Sequence, residues 1–201
     1  MVEIERIMRT SPVIPVLTIE DAGQARAMAE AFVAGGLKVL EVTLRTAAGL
    51  DAITEMRKVP GAIVGAGTVL NVQDLRLSLD AGAEFIVSPG LSEPLARAAI
   101  ASGVPFLPGI ANASDIMRGL DLGLTHFKFF PAVAAGGIKA LGALAAPFHQ
   151  CRFCPTGGVS VDSAPEWLAM SSVLCVGGSW LASGAAVDIA AVRAAAKLAQ
   201  D

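Results

Sequence analysis

The residues of this sequence best suited to chemistry are a lysine, a glutamate and an arginine, each set in an apolar run. Lys128 lies in the middle of His126-Phe127-Lys128-Phe129-Phe130-Pro131-Ala132. Read as a strand, the period of two puts His126, Lys128 and Phe130 on one face and Phe127 and Phe129 on the other. An ammonium in an apolar strand is costly unless the amine has a task. Burial disfavours the charged form of any amine, and a neutral amine can attack a carbonyl. For this stretch by itself the alternative is a lysine at a strand end whose head reaches water. In Val39-Leu40-Glu41-Val42-Thr43-Leu44-Arg45-Thr46 the same period places Glu41, Thr43 and Arg45 on one face, with Leu40, Val42 and Leu44 opposite. A carboxylate, a guanidinium and an amine turned toward one lumen suit a charged substrate; pairing of Glu41 with Arg45 alone is the structural alternative.

Other residues could complete such a site. Thr68, in Gly65-Ala66-Gly67-Thr68, puts a hydroxyl at a strand end beside two glycines that clear space. Two late strands end in glycine pairs, Thr156-Gly157-Gly158 and Gly177-Gly178-Ser179, where bare backbone N–H groups can point at a phosphate. Tight turns are the plain alternative. Pro89 and Pro108 read as strand terminators, and His126 as a strand-start residue. Cys151 and Cys154 have the spacing of a redox pair, but on a strand residues three apart face opposite sides. All three cysteines, Cys175 included, therefore read as small core residues.

The elements that must position these groups repeat as strand, loop and helix at intervals of roughly twenty to twenty-six residues. Eight strand-like runs span residues 13–18, 39–44, 63–68, 85–89, 105–110, 126–130, 153–156 and 173–176. Most are apolar on both faces, as strands covered by helices must be. Between them lie alanine-rich segments of helical periodicity, with Ala25, Met28, Ala29, Phe32 and Val33 on one face before Gly35-Gly36. Helix starts are marked by Asp21, Asn71, Ser92-Glu93-Pro94 and Ser114-Asp115. This alternation predicts an α/β fold, a single compact (β/α)8 TIM barrel over residues 1–201 with a short N-terminal helix. An open doubly wound sheet is the rival, but no Gly-x-Gly-x-x-Gly follows the first strand.

At 201 residues, 54% hydrophobic and 16% charged, the chain can bury a sizeable core and is too apolar for disorder. No window approaches ~20 uncharged apolar residues. The net charge of −3, without a basic run, argues against nucleic acid and anionic membranes and leaves small molecules as partners. Glu3, Glu5, Arg6 and Arg9 break up the N-terminal segment, so a cytoplasmic location is expected.

Taken together, six segments resemble one family: Glu41-Val42-Thr43-Leu44-Arg45-Thr46, Val64-Gly65-Ala66-Gly67-Thr68-Val69-Leu70, Ser88-Pro89-Gly90-Leu91, Phe127-Lys128-Phe129-Phe130-Pro131-Ala132, Arg152-Phe153-Cys154-Pro155-Thr156-Gly157-Gly158 and Cys175-Val176-Gly177-Gly178-Ser179-Trp180. In this order they look like a 2-keto-3-deoxy-6-phosphogluconate (KDPG) and 4-hydroxy-2-oxoglutarate aldolase of class I. The resemblance implies a (β/α)8 barrel, a homotrimer, and a carbon-carbon lyase that needs no metal or cofactor. It makes Lys128 the Schiff-base lysine, Glu41 the general acid/base, and Arg45 and Thr68 the binders of the keto-acid carboxylate. Pro89 and Phe130 would shape the pocket around the reacting carbons, and Thr156, Gly157, Gly158, Gly178 and Ser179 would hold the phosphate. The implied partners are a phosphorylated 2-keto acid and pyruvate. The galactonate epimer as substrate, a sugar-phosphate isomerase or epimerase without covalent chemistry, and a silent phosphometabolite binder remain as alternatives.

Overall fold

The structure, a computed structural model, describes residues 2–198. It begins with a helix, α1 (Glu3–Thr10), and a strand, β1 (Val13–Leu17), followed by a 3-10 turn and α2 (Ala25–Gly35). Strands and helices then alternate: β2 (Val39–Thr43), α3 (Gly49–Met56), β3 (Ile63–Gly67), α4 (Val72–Asp80), β4 (Phe85–Val87) and α5 (Glu93–Ser102). The second half continues with β5 (Phe106–Leu107), β6 (Gly109–Ile110), α6 (Ala113–Asp121), β7 (His126–Phe129), α7 (Gly137–Ala145), β8 (Arg152–Pro155), α8 (Ala164–Leu168) and β9 (Val176–Gly178). A hairpin, β10 (Ala182–Ser183) with β11 (Ala186–Val187), and α9 (Ile189–Ala195) complete the described chain.

The local chemistry explains the helix boundaries. Asn71 accepts from the Asp74 N–H to start α4, and Gly36 ends α2 in the left-handed conformation. Pro94 occupies the first turn of α5. Helix α6 is capped by Asn112, which accepts from the Asp115 N–H, two residues ahead of the expected Ser114. Along α2, Ala25, Met28, Ala29 and Phe32 are buried, the face that the 3.6-residue period assigns to the core.

All pairing outside the hairpin is parallel. It gives a six-stranded sheet in the order β5-β4-β3-β2-β1-β9 and a three-stranded sheet β6-β7-β8. The α/β class is as expected, with a parallel sheet curled so that β9 returns beside β1. One uninterrupted eight-stranded ring is not what the pairing gives. The run 105–110 is split at Pro108, which has no N–H to donate, into β5 and β6. Between β8 and β9 only two isolated bridges form, Phe153 with Val173 and Thr156 with Gly177. The last strand is displaced as well. Val176, Gly177 and Gly178 pair with Val13, Ile14 and Pro15 of β1, so the glycine pair lies within β9 rather than after it.

Two apolar clusters sandwich the sheet. The larger lies between strands and helices and takes Leu40, Val42, Phe127, Phe129 and Phe153 with Phe32, Ile53 and Trp167. The smaller lies inside the curl, where Ile14, Val39, Phe85, Val87 and Cys154 meet Ile4, Ile7 and Met8 of α1. Helix α1 thus fills the amino-terminal end of the curl and leaves the carboxyl ends of the strands for chemistry. Cys151 belongs to the outer cluster and Cys154 and Cys175 to the inner one, as the strand period required, and all three are free thiols. Burial pushes the Cys151 and Cys175 thiols up, away from the reactive thiolate.

Candidate active site

Strand β2 projects Glu41 inward and β7 projects Lys128 inward, because on each strand the alternate residues Val42 and Phe127 fill the outer core. The two polar side chains meet. Lys128 Nζ donates to Glu41 Oε1 at 3.0 Å, with the residues only 5% and 3% exposed. The ring of Phe130 lies beneath the amine, 5.5 Å from Nζ to its centroid. The bond gives a direct proton path between amine and carboxylate in a site largely closed to water. It also decides the partner of Glu41, which is Lys128 and not Arg45.

Arg45 lies two residues past the end of β2, exposed, and forms no ion pair among the described residues. Its guanidinium is therefore available to an incoming carboxylate at the mouth of the curl. Thr43, between Glu41 and Arg45, is fully buried; its hydroxyl donates to the Leu17 carbonyl at 3.0 Å and lies 3.1 Å from Thr18 Oγ1. It pins the end of β2 to β1 and so fixes the base on which Glu41 and Arg45 stand. The period-two phase of residues 41, 43 and 45 carried that information, but the sequence alone assigned Thr43 no task.

Thr68 follows β3 with φ of 60°, the one non-glycine residue in the left-handed region among those described. For a β-branched residue this costs on the order of 1–3 kcal/mol and marks a backbone held there by its surroundings, a feature concentrated at functional sites. Pro89, half-buried after β4, packs its backbone against Gly109, the residue opposite Lys128 in the β6–β7 register.

Of the two segments predicted to hold phosphate, the first meets the second where Thr156 bridges to Gly177. Thr156 is buried and its N–H donates to the Phe129 carbonyl at 3.0 Å, while its own carbonyl accepts from Ala132 at 2.8 Å. Gly157 accepts from Val133 at 3.0 Å. These bonds lash the Phe130-Pro131 turn, whose peptide bond is cis, to the glycine loop. Gly157 and Gly158 have φ of 99° and 82°, conformations that other residues rarely adopt. Gly178 is buried at the end of β9, and exposed Ser179 borders a cavity of about 150 Å³ shared with Thr18. Larger hollows, of about 490 Å³ around Met170 and about 480 Å³ between α5 and α6, contain no buried pair of titratable groups among the described residues.

His126 starts β7 at the other end of the curl. Its Nδ1 lies 3.0 Å from Thr125 Oγ1, and its Nε2 is buried without a hydrogen bond, 3.6 Å from Glu5 Oε2 of α1. It does not reach Lys128's site.

A buried lysine–glutamate pair inside a curled parallel sheet, with an arginine that has no ion pair among the described residues and a Gly157-Gly158 loop next in sequence to buried Thr156, is a constellation that comparison with known proteins can place. The family model described as KDPG and KHG aldolase matches residues 4–198. The chain belongs to the KDPG and KHG aldolase family. It is an aldolase, a carbon-carbon lyase. The 2-dehydro-3-deoxy-phosphogluconate aldolase of Zymomonas mobilis is 55% identical over 98% of this chain and 95% of its own length. A crystal structure of the Zymomonas mobilis ZM4 enzyme with 3-phosphoglycerate superposes with a TM-score of 0.96 at 52% identity, covering 100% of this chain and 98% of that one. The KDPG aldolase of Legionella pneumophila, with pyruvate captured at low pH as a covalent carbinolamine intermediate, gives 0.89 at 41% identity, covering 98% and 97%. The likeness spans every element that carries a predicted site residue.

Proposed function

We propose that this chain cleaves 2-keto-3-deoxy-6-phosphogluconate to pyruvate and glyceraldehyde 3-phosphate through a Schiff base on Lys128. The observation that carries the assignment of residues is the buried 3.0 Å contact between Lys128 Nζ and Glu41 Oε1. Transfer of a proton across it leaves a neutral amine that attacks the C2 carbonyl. Glu41 returns the proton to the carbinolamine hydroxyl, which departs as water and leaves a protonated imine. That imine accepts the electron pair of the C3–C4 bond while the Glu41 carboxylate takes the C4 hydroxyl proton. The aldehyde leaves, the enamine is protonated at C3, and water releases pyruvate from the lysine.

Arg45 and Thr68 bind the keto-acid carboxylate, Arg45 as a bidentate fork. Pro89 and Phe130 wall the reacting carbons, with Phe130 supported by its place under Nζ. Thr156, Gly157, Gly158, Gly178 and Ser179 take the phosphate, supported by the positive φ of Gly157 and Gly158 and by the bridge that sets Thr156 beside Gly177. The rest of the reading follows the family: a cytoplasmic homotrimer of one (β/α)8 domain, in which the two isolated bridges between β8 and β9 and the short step at Pro108 close the barrel. 4-Hydroxy-2-oxoglutarate is the second substrate. Pyruvate release from KDPG, from its galactonate epimer and from 4-hydroxy-2-oxoglutarate tests the function. KDPG is expected to be turned over fastest, and no pyruvate from any of the three would overturn it.

A further inference from the structure

We propose that Gly67 is a positioning residue for Glu41, keeping open the seat from which its carboxylate reaches Lys128. This rests on the role of Glu41 given above. In the β2–β3 register Glu41 stands opposite Gly65 and Thr43 opposite Gly67, and all four positions share the inward face. The Glu41 side chain leans along β2 toward the carboxyl end and comes to lie over the α-carbon of Gly67. A β-carbon built there would stand 2.6 Å from Glu41 Cγ and 2.8 Å from Cδ, and closer still to Oε1. Oε1 is the oxygen that accepts from Lys128 Nζ.

The crowding is not relieved by a small swing of the carboxylate, because Cγ and Cδ are inside the contact limit as well as Oε1. The side chain has to shift from Cγ outward in a seat only 3% exposed, and on the proposal that shift withdraws Oε1 from Nζ. The backbone is not the reason for glycine here. Gly67 is absent from the residues with positive φ, so alanine fits its conformation without strain. A glycine inside a strand otherwise weakens it, and its presence at the one place where a neighbour's working carboxylate rests is explained by that close approach.

The test is a double-mutant cycle on KDPG turnover with Gly67→Ala, Glu41→Ala and the two combined. Gly67→Ala is expected to lower kcat by about 10²-fold with a smaller change in KM. In the Glu41→Ala background, where the clashing atoms are gone, adding Gly67→Ala is expected to change kcat by less than about twofold. Equal losses in both backgrounds, or parental turnover in Gly67→Ala, would overturn the inference. Parental turnover in Glu41→Ala would instead overturn the reading of Glu41, and this inference with it. If Gly67→Ala alone is too unstable to assay, Glu41→Ala with and without Gly67→Ala is compared by itself, since alanine carries no Cγ and so vacates the seat. Turnover equal within about twofold supports the inference and a further loss contradicts it.

Discussion

Lys128 Nζ, on β7, donates to Glu41 Oε1, on β2, across 3.0 Å of buried space, although 87 positions separate the two residues in the chain. The contact defines the resting state of the site. The amine does not wait alone in an apolar pocket but is hydrogen-bonded to a carboxylate, so on the proposed mechanism the proton acceptor already stands within reach before a carbonyl is attacked.

If Glu41 moves protons in both the dehydration and the cleavage steps, Glu41→Gln keeps the shape of the seat and loses the proton acceptor. Turnover of KDPG is expected to fall by about 10²-fold or more, with trapping of a pyruvate adduct on Lys128 retained in part. Steady-state kinetics beside adduct mass spectrometry checks this, and parental turnover in the variant would remove Glu41 from its role.

Arg45 is exposed and holds no ion pair among the described residues, so its loss should leave the fold alone and act on binding. Arg45→Ala is expected to weaken pyruvate binding by about tenfold or more, the scale of a hydrogen bond to a charged group, with an unchanged unfolding midpoint. Unaltered pyruvate affinity would contradict the carboxylate assignment.

His126 titrates against the fold. Burial holds its imidazole below the ordinary histidine value, against the opposing pull of Glu5, with Arg152 and Arg9 adding to the lowering. The unfolded chain therefore takes up the proton first, near pH 6.5. Stability attributable to His126 is complete above that pH and is lost as pH falls toward the folded-state value. Glu5, held low chiefly by its hydrogen bond from Arg9, contributes only at still lower pH. Urea midpoints between pH 7.5 and about pH 5 should decline in the parent and decline less in His126→Asn; parallel curves would contradict this.

Much of the site was legible because it depends on strand phase. The inward set Glu41, Thr43 and Lys128 follows from a period of two, and so does the separation of Cys151 from Cys154. What escaped depends on pairing and on where side chains lean. Pro108 splits a run that looks continuous, since a missing N–H matters only when the neighbouring strand is known. The glycine pair Gly177-Gly178 reads as a loop until β1 draws it into the sheet. The β10–β11 hairpin, two residues on each strand, is too short to show a period. Gly67 offers only a space, and its occupant is visible only in three dimensions.

The central claim is the covalent role of Lys128, and borohydride reduction in the presence of pyruvate followed by peptide mapping tests it most directly. The account predicts one stable adduct on the peptide carrying Lys128, absent when pyruvate or borohydride is omitted. An enzyme that turns over KDPG but remains unmodified at Lys128 would contradict it and favour a non-covalent reaction at the same mouth.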